Sequence, residues 1–276
     1  MAPKGKKTKD SSNANSTTTT RDKQQQQQEQ QQVPNWPPLR PLVPSTDLLL
    51  EPILQDQIYI IRNLLTSTLC KAYVSFLSTL PLTTTPGKPK RGEAVRVNDR
   101  FQVHDPGFAE KLWSSTALRD LVLKGPTSFD EDGEDAQEED RQVDSATAKE
   151  LWGGEVLGLN PNIRIYRYVP GQFFAQHYDD SVPLSFSSPP TPARTTWTLL
   201  IYLTTCTGGE TVFYPGPPPK SANKKKPSAA PRPISVGMEV GMALLHRHGE
   251  KCLLHEGREV VSGEKWVIRS DLVIGR

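Results

Sequence analysis

The strongest chemical pattern in this sequence is a histidine and an aspartate two residues apart, in the segment Gln176-His177-Tyr178-Asp179. Residues two apart on a β-strand point to the same side. An imidazole nitrogen of His177 and a carboxylate oxygen of Asp179 can therefore reach one metal ion. Two protein ligands are rarely enough, so we expect a third from elsewhere in the chain. Two histidines and one carboxylate with open coordination positions suit a non-haem iron(II) site.

A His-x-Asp pattern is common on its own, and its value here comes from four segments that occur in order. They are Arg164–Asp179 (RIYRYVPGQFFAQHYD), Thr198–Leu203 with Gly208–Phe213 (TLLIYL, GGETVF), Gly241–Leu245 (GMALL) and His255–Asp271 (HEGREVVSGEKWVIRSD). Together these segments resemble the prolyl 4-hydroxylase branch of the iron(II)- and 2-oxoglutarate-dependent dioxygenases. The resemblance extends over residues 60–276 and is specific from residue 163 onward.

The resemblance implies His255 as the third metal ligand. In this family a basic residue about ten positions after the distal histidine binds the far carboxylate of 2-oxoglutarate. Both His255–Lys265 and His248–Arg258 have that spacing. Arg258 lies in a polar turn, where a buried anion-binding residue is not expected, whereas Lys265 begins a segment with the pattern of a barrel strand. The less favoured histidines are His104, His246 and His248.

The same resemblance implies how a cosubstrate is held. The C1 carboxylate and keto oxygen of 2-oxoglutarate chelate iron(II), which leaves a position for O2, and ascorbate is the expected reductant. A buried C5 carboxylate needs a cation, and we expect Lys265 to supply it, with Arg269 on the same strand face as the alternative. Tyr168 and Tyr202 match tyrosines that contact the cosubstrate, since a hydroxyl can donate to a carboxylate. Simple core packing is the other interpretation of both tyrosines.

The expected reaction is hydroxylation of a substrate C–H bond, coupled to decarboxylation of 2-oxoglutarate to succinate and CO2. Peptidyl proline is the first candidate substrate, but plant and fungal relatives leave the substrate open. A non-catalytic metal-binding jelly-roll module is one alternative, although it has no need of Lys265. A nucleic-acid demethylase of the same superfamily is another, but the chain lacks that class's arginine-rich ending. A structural zinc site predicts cysteine ligands, and no cysteine has a suitable spacing to the histidines.

The segments that must position these residues are mostly strands. Ile163–Tyr168 alternates, with Ile163 and Ile165 on one face and Arg164, Tyr166 and Tyr168 on the other. The further strand candidates are Trp197–Leu203, Thr211–Tyr214, Met242–Leu245 and Lys265–Ile274. Apolar residues from Leu69 to Leu80 have helical spacing, with Thr66 or Ser67 as cap and Pro81 as the stop. A second helix is predicted to start at Asp105 and Pro106. The fold class is therefore α+β, mainly β: a double-stranded β-helix (jelly roll) with N-terminal supporting helices.

The domain boundaries follow from composition. We expect residues 1–45 to be a low-complexity tail, most polar up to residue 35, and residues 46–276 to form the dioxygenase domain. Insertions are predicted near 127–145, which is acidic, and near 216–233, which is rich in proline and lysine. Residues 181–196 and 91–100 are candidates for a lid and a substrate-binding segment, or else for solvated connections.

Charge and composition restrict partners and location. The net charge is +2 and the mean hydropathy is −0.53, so nothing indicates a nucleic-acid or a membrane partner. We expect a protein or small-molecule substrate. The three cysteines, Cys70, Cys206 and Cys252, do not suggest a disulfide framework. No signal peptide is visible, and the expected location is the cytoplasm, with the nucleus as alternative.

Overall fold

The structure is a computed structural model that describes residues 33–85, 89, 92–126, 145–186, 189–216 and 231–276. Its α-helices are α1 Ser67–Leu77, α2 Pro106–Ser115, α3 Leu118–Lys124 and α4 Ser145–Trp152. Short 3₁₀ helices cover Ser45–Asp47 and Gly249–Lys251. Among the described helices, none combines the length and the apolar character that crossing a membrane requires.

Two antiparallel sheets make up most of the fold. The large sheet has the order β1-β2-β14-β10-β17-β7-β5-β3, with β6 also paired to β17 and β9 to β10. Its strands are β1 Glu51–Leu54, β2 Ile58–Ile61, β3 Thr83–Thr84, β5 Asp99–His104, β6 Val156–Leu159, β7 Asn162–Tyr168, β9 Pro183–Phe186, β10 Thr191–Tyr202, β14 Ala243–Arg247 and β17 Lys265–Gly275. The small sheet has the order β13-β12-β15-β8-β4. Its strands are β4 Arg96–Val97, β8 Phe173–His177, β12 Thr211–Tyr214, β13 Ile234–Val236 and β15 Leu254–Gly257. A separate ribbon pairs β11 Cys206–Gly208 with β16 Val260–Gly263.

The large sheet has a hydrophobic core on each face. On one face, Ile163 and Ile165 of β7 and Trp266 of β17 pack in a cluster with the helices. On the other face, Tyr166 and Tyr168 of β7 pack in a second cluster with residues of the small sheet. This alternation along β7 confirms the two faces predicted from sequence. The jelly roll with supporting helices is likewise confirmed, and the space between the two sheets is where the site lies.

Both predicted helix starts are confirmed by capping hydrogen bonds. Thr66 precedes α1, and its hydroxyl accepts from the amide of Leu69 at 3.2 Å. Asp105 precedes α2, and its carboxylate accepts from the amide of Phe108 at 2.9 Å, with Pro106 in the first turn. Such caps satisfy amide donors that the helix itself leaves unpaired.

The predicted tail boundary at residue 45 is wrong for residues 33–45, which belong to the described fold. Trp36 stacks on Phe108 with ring centroids 4.1 Å apart, and its indole donates to Asp105 at 2.6 Å. The Tyr73 hydroxyl donates to the Pro37 carbonyl at 2.9 Å. This segment is rich in proline and polar residues, so its few apolar side chains gave too weak a pattern to predict packing.

The predicted lid and the two predicted insertions can be compared with the structure only in part. The candidate lid at 181–196 contains β9, which pairs with the start of β10, so much of it is a hairpin extension of the large sheet. Most of the two predicted insertions, at 127–144 and 217–230, lies outside the described residues.

Candidate active site

The structure brings together the three predicted metal ligands. His177 ends β8, Asp179 follows it, and His255 lies on β15 directly opposite His177 in the strand register. Ligand atoms of the three side chains all lie within 4.8 Å of one another. The Nε2 atoms of His177 and His255 are 3.8 and 3.7 Å from the Asp179 carboxylate. All three residues are largely buried.

Backbone carbonyls fix the orientation of both imidazoles. The Nδ1 atom of His177 lies 2.8 Å from the carbonyl oxygen of Ala175, and that of His255 lies 2.9 Å from the carbonyl oxygen of Leu253. A proton on each Nδ1 donates to that carbonyl and leaves the Nε2 lone pair free. Metal-binding histidines commonly have such a second partner. Burial, with the neighbouring His255, lowers the pKa of His177 to about 4, which favours the neutral form that a metal requires.

The Asp179 carboxylate is held in its ionised form. Its Oδ2 accepts from Arg269 at 2.9 Å and from the Thr198 hydroxyl at 2.9 Å. Burial alone raises the pKa of Asp179, but Arg269 and the nearby histidines hold it well below its ordinary value. Two histidine nitrogens and an ionised carboxylate that converge on one point are a donor set that fits iron(II).

The two competing histidines, His246 on β14 and His248 just after it, differ in their surroundings. Both ring nitrogens of His248 have hydroxyl partners, Thr198 at 3.0 Å and Thr195 at 2.9 Å, so His248 is a buried and satisfied side chain. His246 is also buried, and its Nε2 lies 3.8 Å from the Asp179 carboxylate. It lines the same cavity as the three converging residues. The sequence suggested that either His246 or His248 is a buried, satisfied histidine, which His248 is, but it did not predict that His246 lies beside the site.

Lys265 lies in the same cavity, at the start of β17. It is 5% exposed, and its ammonium donates to the Gly209 carbonyl at 2.6 Å. No described carboxylate forms an ion pair with it within 4.0 Å. Burial lowers the pKa of Lys265 to about 8. A buried ammonium without an anionic partner is a ready binding point for a carboxylate.

The turn that supplies this carbonyl requires glycine. Gly208 and Gly209 both have φ of +73°, a region that side chains rarely adopt. A Cβ on Gly208 meets the Glu259 carbonyl oxygen at 2.3 Å, and one on Gly209 meets the Cys206 sulfur at 2.9 Å. The two glycines thus let the chain pass close enough to Lys265 to accept its hydrogen bond.

The two predicted cosubstrate tyrosines surround this lysine. The Lys265 nitrogen lies 5.5 Å from the ring centre of Tyr168 and 5.3 Å from that of Tyr202. Tyr168 lines the cavity. The Tyr202 hydroxyl is hydrogen-bonded to Thr211 at 2.8 Å. Arg269, the alternative anion clamp, instead contacts Asp179, as described above.

The cavity between the sheets is small. It measures about 40 Å³ and is lined by the converging triad together with Lys265 and Arg269. Typical small-molecule sites have roughly 300–1,000 Å³. Binding of a ligand larger than a few atoms therefore requires the lining side chains to move.

Residues 163–270, which contain every one of these groups, match the model of the 2OG-Fe(II) oxygenase superfamily. Residues 163–270 are a 2OG-Fe(II) oxygenase domain. This oxygenase is therefore an enzyme, a 2-oxoglutarate- and iron(II)-dependent dioxygenase that uses O2, as predicted from the four ordered segments. The match counts against a non-catalytic metal-binding module and against a structural zinc site.

Three solved structures similar to this oxygenase are prolyl hydroxylases. The viral collagen prolyl hydroxylase of Paramecium bursaria Chlorella virus-1 has 17% identity and a TM-score of 0.43, over 79% of this chain and 96% of its own. A Pseudomonas putida prolyl-4-hydroxylase has 14% identity and a TM-score of 0.44, over 80% and 94%. A Trichoplax adhaerens prolyl hydroxylase in complex with a hypoxia-inducible-factor peptide has 16% identity and a TM-score of 0.45, over 79% and 84%. No curated protein matches the sequence.

Proposed function

We propose that His177, Asp179 and His255 bind the iron(II) of this oxygenase. The observation that carries the proposal is the convergence of two Nε2 atoms, each with its Nδ1 held by a backbone carbonyl, on an ionised carboxylate. When bound, iron(II) with 2-oxoglutarate supplies the oxidising chemistry. The protein residues bind the iron, orient the cosubstrate and exclude water from the site.

Lys265 binds the C5 carboxylate of 2-oxoglutarate in this proposal. Its ammonium is buried, and its hydrogen bond goes to a neutral carbonyl and not to a carboxylate. Tyr168 provides an aromatic wall beside it. Arg269 is the side chain best placed to make room, because its partner Asp179 gains a second counter-charge when a metal ion binds. Ascorbate is expected to sustain turnover by keeping the iron reduced.

The proposed substrate is a peptide, with peptidyl proline as the first residue to test. Support for the peptide comes from the four sequence segments that resemble the prolyl 4-hydroxylase branch. A nucleic-acid substrate is disfavoured, because the chain's net charge is only +2. We further propose that the enzyme works in the cytoplasm or nucleus, where its three free cysteines stay reduced.

A peptide screen tests the substrate proposal. Proline-containing peptides are incubated with the iron-loaded enzyme, 2-oxoglutarate, ascorbate and air, and are then analysed by mass spectrometry. Hydroxylation adds one oxygen atom to a peptide and forms one succinate per modified residue. His255→Ala serves as the inactive control. Succinate that accumulates while every peptide keeps its mass contradicts the peptide assignment but not the cosubstrate chemistry.

A further inference from the structure

Four arginines lie beside the cavity: Arg269, which contacts the proposed iron ligand Asp179, and Arg96, Arg100 and Arg164, which have no role in the proposed iron or 2-oxoglutarate binding. On the large sheet, Arg100 of β5 pairs with Tyr166 of β7, and Arg164 of β7 pairs with Arg269 of β17. Tyr166 and Arg269 both line the cavity. Side chains that pair across strands or lie two apart share a face. Arg100 and Arg164 are therefore on the face of the sheet that carries the site.

The pairing of Arg164 with Arg269 is unfavourable by itself. Like charges directly opposite each other destabilise a sheet. Asp271 forms an ion pair with Arg164 and lies 3.7 Å from Arg269, which offsets part of this repulsion. Arg269 also pairs with Asp179. Arg164 and Arg269 thus both have a counter-charge, whereas Arg100 forms no ion pair with a described residue.

A fourth arginine reaches the same place from the small sheet. Arg96 of β4 pairs with Phe174 of β8, and its guanidinium lies 4.9 Å from the ring centre of Phe174 and 5.7 Å from that of Tyr166. Phe174 in turn stacks on His177, with ring centroids 3.6 Å apart. One aromatic ring therefore separates Arg96 from a proposed iron ligand.

Among the described residues, Arg96 and Arg100 form no ion pair within 4.0 Å. The ion pairs of this group in the same part of the chain are those of Arg164 and Arg269. Arg100 donates to the neutral side chain of Gln102 at 2.5 Å. Both arginines are only partly buried, so a ligand can reach them.

The positive charge of the four arginines affects the pKa of Tyr166. Burial alone raises the pKa of this phenol, but the four arginines hold it below its ordinary value. For Arg100, burial lowers the pKa, and the other three arginines lower it further. The four guanidiniums thus act on one common region next to the cavity.

We propose that Arg96 and Arg100 bind a carboxylate of the substrate, and that the substrate is a peptide with Asp or Glu beside the hydroxylated residue. The guanidinium fork matches a carboxylate in geometry as well as in charge. Lys265 binds the cosubstrate carboxylate in this proposal, so it is not available to the substrate. The inference rests on the proposed peptide substrate and adds the chemistry of its flanking residue.

The test uses three sets of peptides that differ only in the residues flanking a central proline, which are Glu, Gln or Lys. The measured quantity is the peptide-stimulated formation of succinate by the iron-loaded enzyme, expressed as the ratio between sets. We expect the Glu set to exceed the Gln set by about tenfold, the effect of one charge-assisted hydrogen bond. Arg96→Gln and Arg100→Gln should abolish that ratio, and Arg100→Glu should shift the preference to the Lys set. Arg96 and Arg100 are chosen because replacing either one leaves no carboxylate of a described residue without its ion-pair partner. Replacing Arg164 or Arg269 would do so.

Arg62→Gln is the matched control, since Arg62 is an exposed arginine that directly follows β2, pairs with Glu51 and Glu239, and does not line the cavity. Its Glu-to-Gln ratio should equal that of the wild type. Equal stimulation by the Glu and Gln sets overturns the inference, as does a Glu preference that survives both glutamine variants. It is also overturned if Arg100→Gln weakens 2-oxoglutarate binding as strongly as Lys265→Ala, because the arginines then serve the cosubstrate. Failure of the proposed function is distinct: the wild type then forms no succinate with or without peptide.

Discussion

His177 and His255 lie directly opposite each other on β8 and β15, with their ring centroids 4.2 Å apart. Each ring is oriented by the backbone of its own strand, at Ala175 and Leu253. The sheet register and the local carbonyls thus set the position and orientation of both rings. The proposed role of each histidine can be tested separately.

Replacing either histidine should remove most of the metal affinity. Loss of a partner outside the first coordination sphere typically costs 10–100-fold, so His177→Ala and His255→Ala should each weaken cobalt(II) binding by at least about 100-fold. Calorimetry with cobalt(II) as a redox-stable probe measures this. His248→Gln is the control, because His248 is satisfied by two threonines and should affect affinity much less. A protein that keeps its affinity in His255→Ala and loses it in His248→Gln has a different third ligand.

Lys265→Ala should weaken 2-oxoglutarate binding without removing the metal. Truncating one partner of a buried charge pair typically costs ~3–5 kcal/mol. At ~1.4 kcal/mol per tenfold, affinity falls by roughly two to three and a half orders of magnitude. The measurement is the Kd of 2-oxoglutarate by calorimetry on the cobalt-loaded protein. Arg269→Ala is the comparison, since Arg269 contacts Asp179, and a larger loss there than in Lys265→Ala places the clamp at Arg269.

The affinity for 2-oxoglutarate should fall as the pH rises through about 8. The pKa of Lys265 is lowered to about 8, so the ammonium is charged below that pH and increasingly neutral above it. Only the charged form attracts the C5 carboxylate, so tight binding belongs to the low-pH side. Lys265→Arg should bind across the same range without this decline, because a guanidinium stays protonated. An identical decline in wild type and Lys265→Arg shows that another group is responsible.

Truncation should separate the first 32 residues from the segment 33–45. Deleting residues 1–32 removes none of the described contacts, so the unfolding temperature should stay within about 2 °C. Deleting residues 1–45 removes the stacking of Trp36 on Phe108 and its bond to Asp105. A loss of ~1–3 kcal/mol there corresponds to roughly 3–10 °C for a domain of this size. Equal melting temperatures for the two deletions contradict a structural role for residues 33–45.

Spacing between nearby residues predicted part of the site. His177 and Asp179 are two residues apart, although β8 ends at His177 and Asp179 follows it. Lys265 and Arg269 share a strand face by spacing, and the family resemblance added His255 and the role of Lys265. The different roles of His246 and His248 could not be predicted, because Thr195 and Thr198 on a neighbouring strand decide which histidine is satisfied. The arginine group was also missed, since β4, β5, β7 and β17 come together only in the fold.

The extent of the large sheet was likewise only partly predictable. β7, β10, β12, β14 and β17 are encoded by alternating or β-branched apolar residues. β5 contains Asp99, Arg100 and Gln102, a polar composition that indicates a loop when it is seen alone. Its pairing with β7 supplies the stability that its own sequence does not indicate.

The central claim, that this chain oxidises 2-oxoglutarate at the His177–Asp179–His255 site, is tested most directly by succinate formation. Protein loaded anaerobically with iron(II) is mixed with isotopically labelled 2-oxoglutarate and ascorbate, exposed to air, and analysed for labelled succinate by mass spectrometry. The wild type should form succinate only when both iron and oxygen are present, and His255→Ala and Lys265→Ala should form little or none. A folded wild type that binds both iron and 2-oxoglutarate but leaves the label entirely in 2-oxoglutarate contradicts the account.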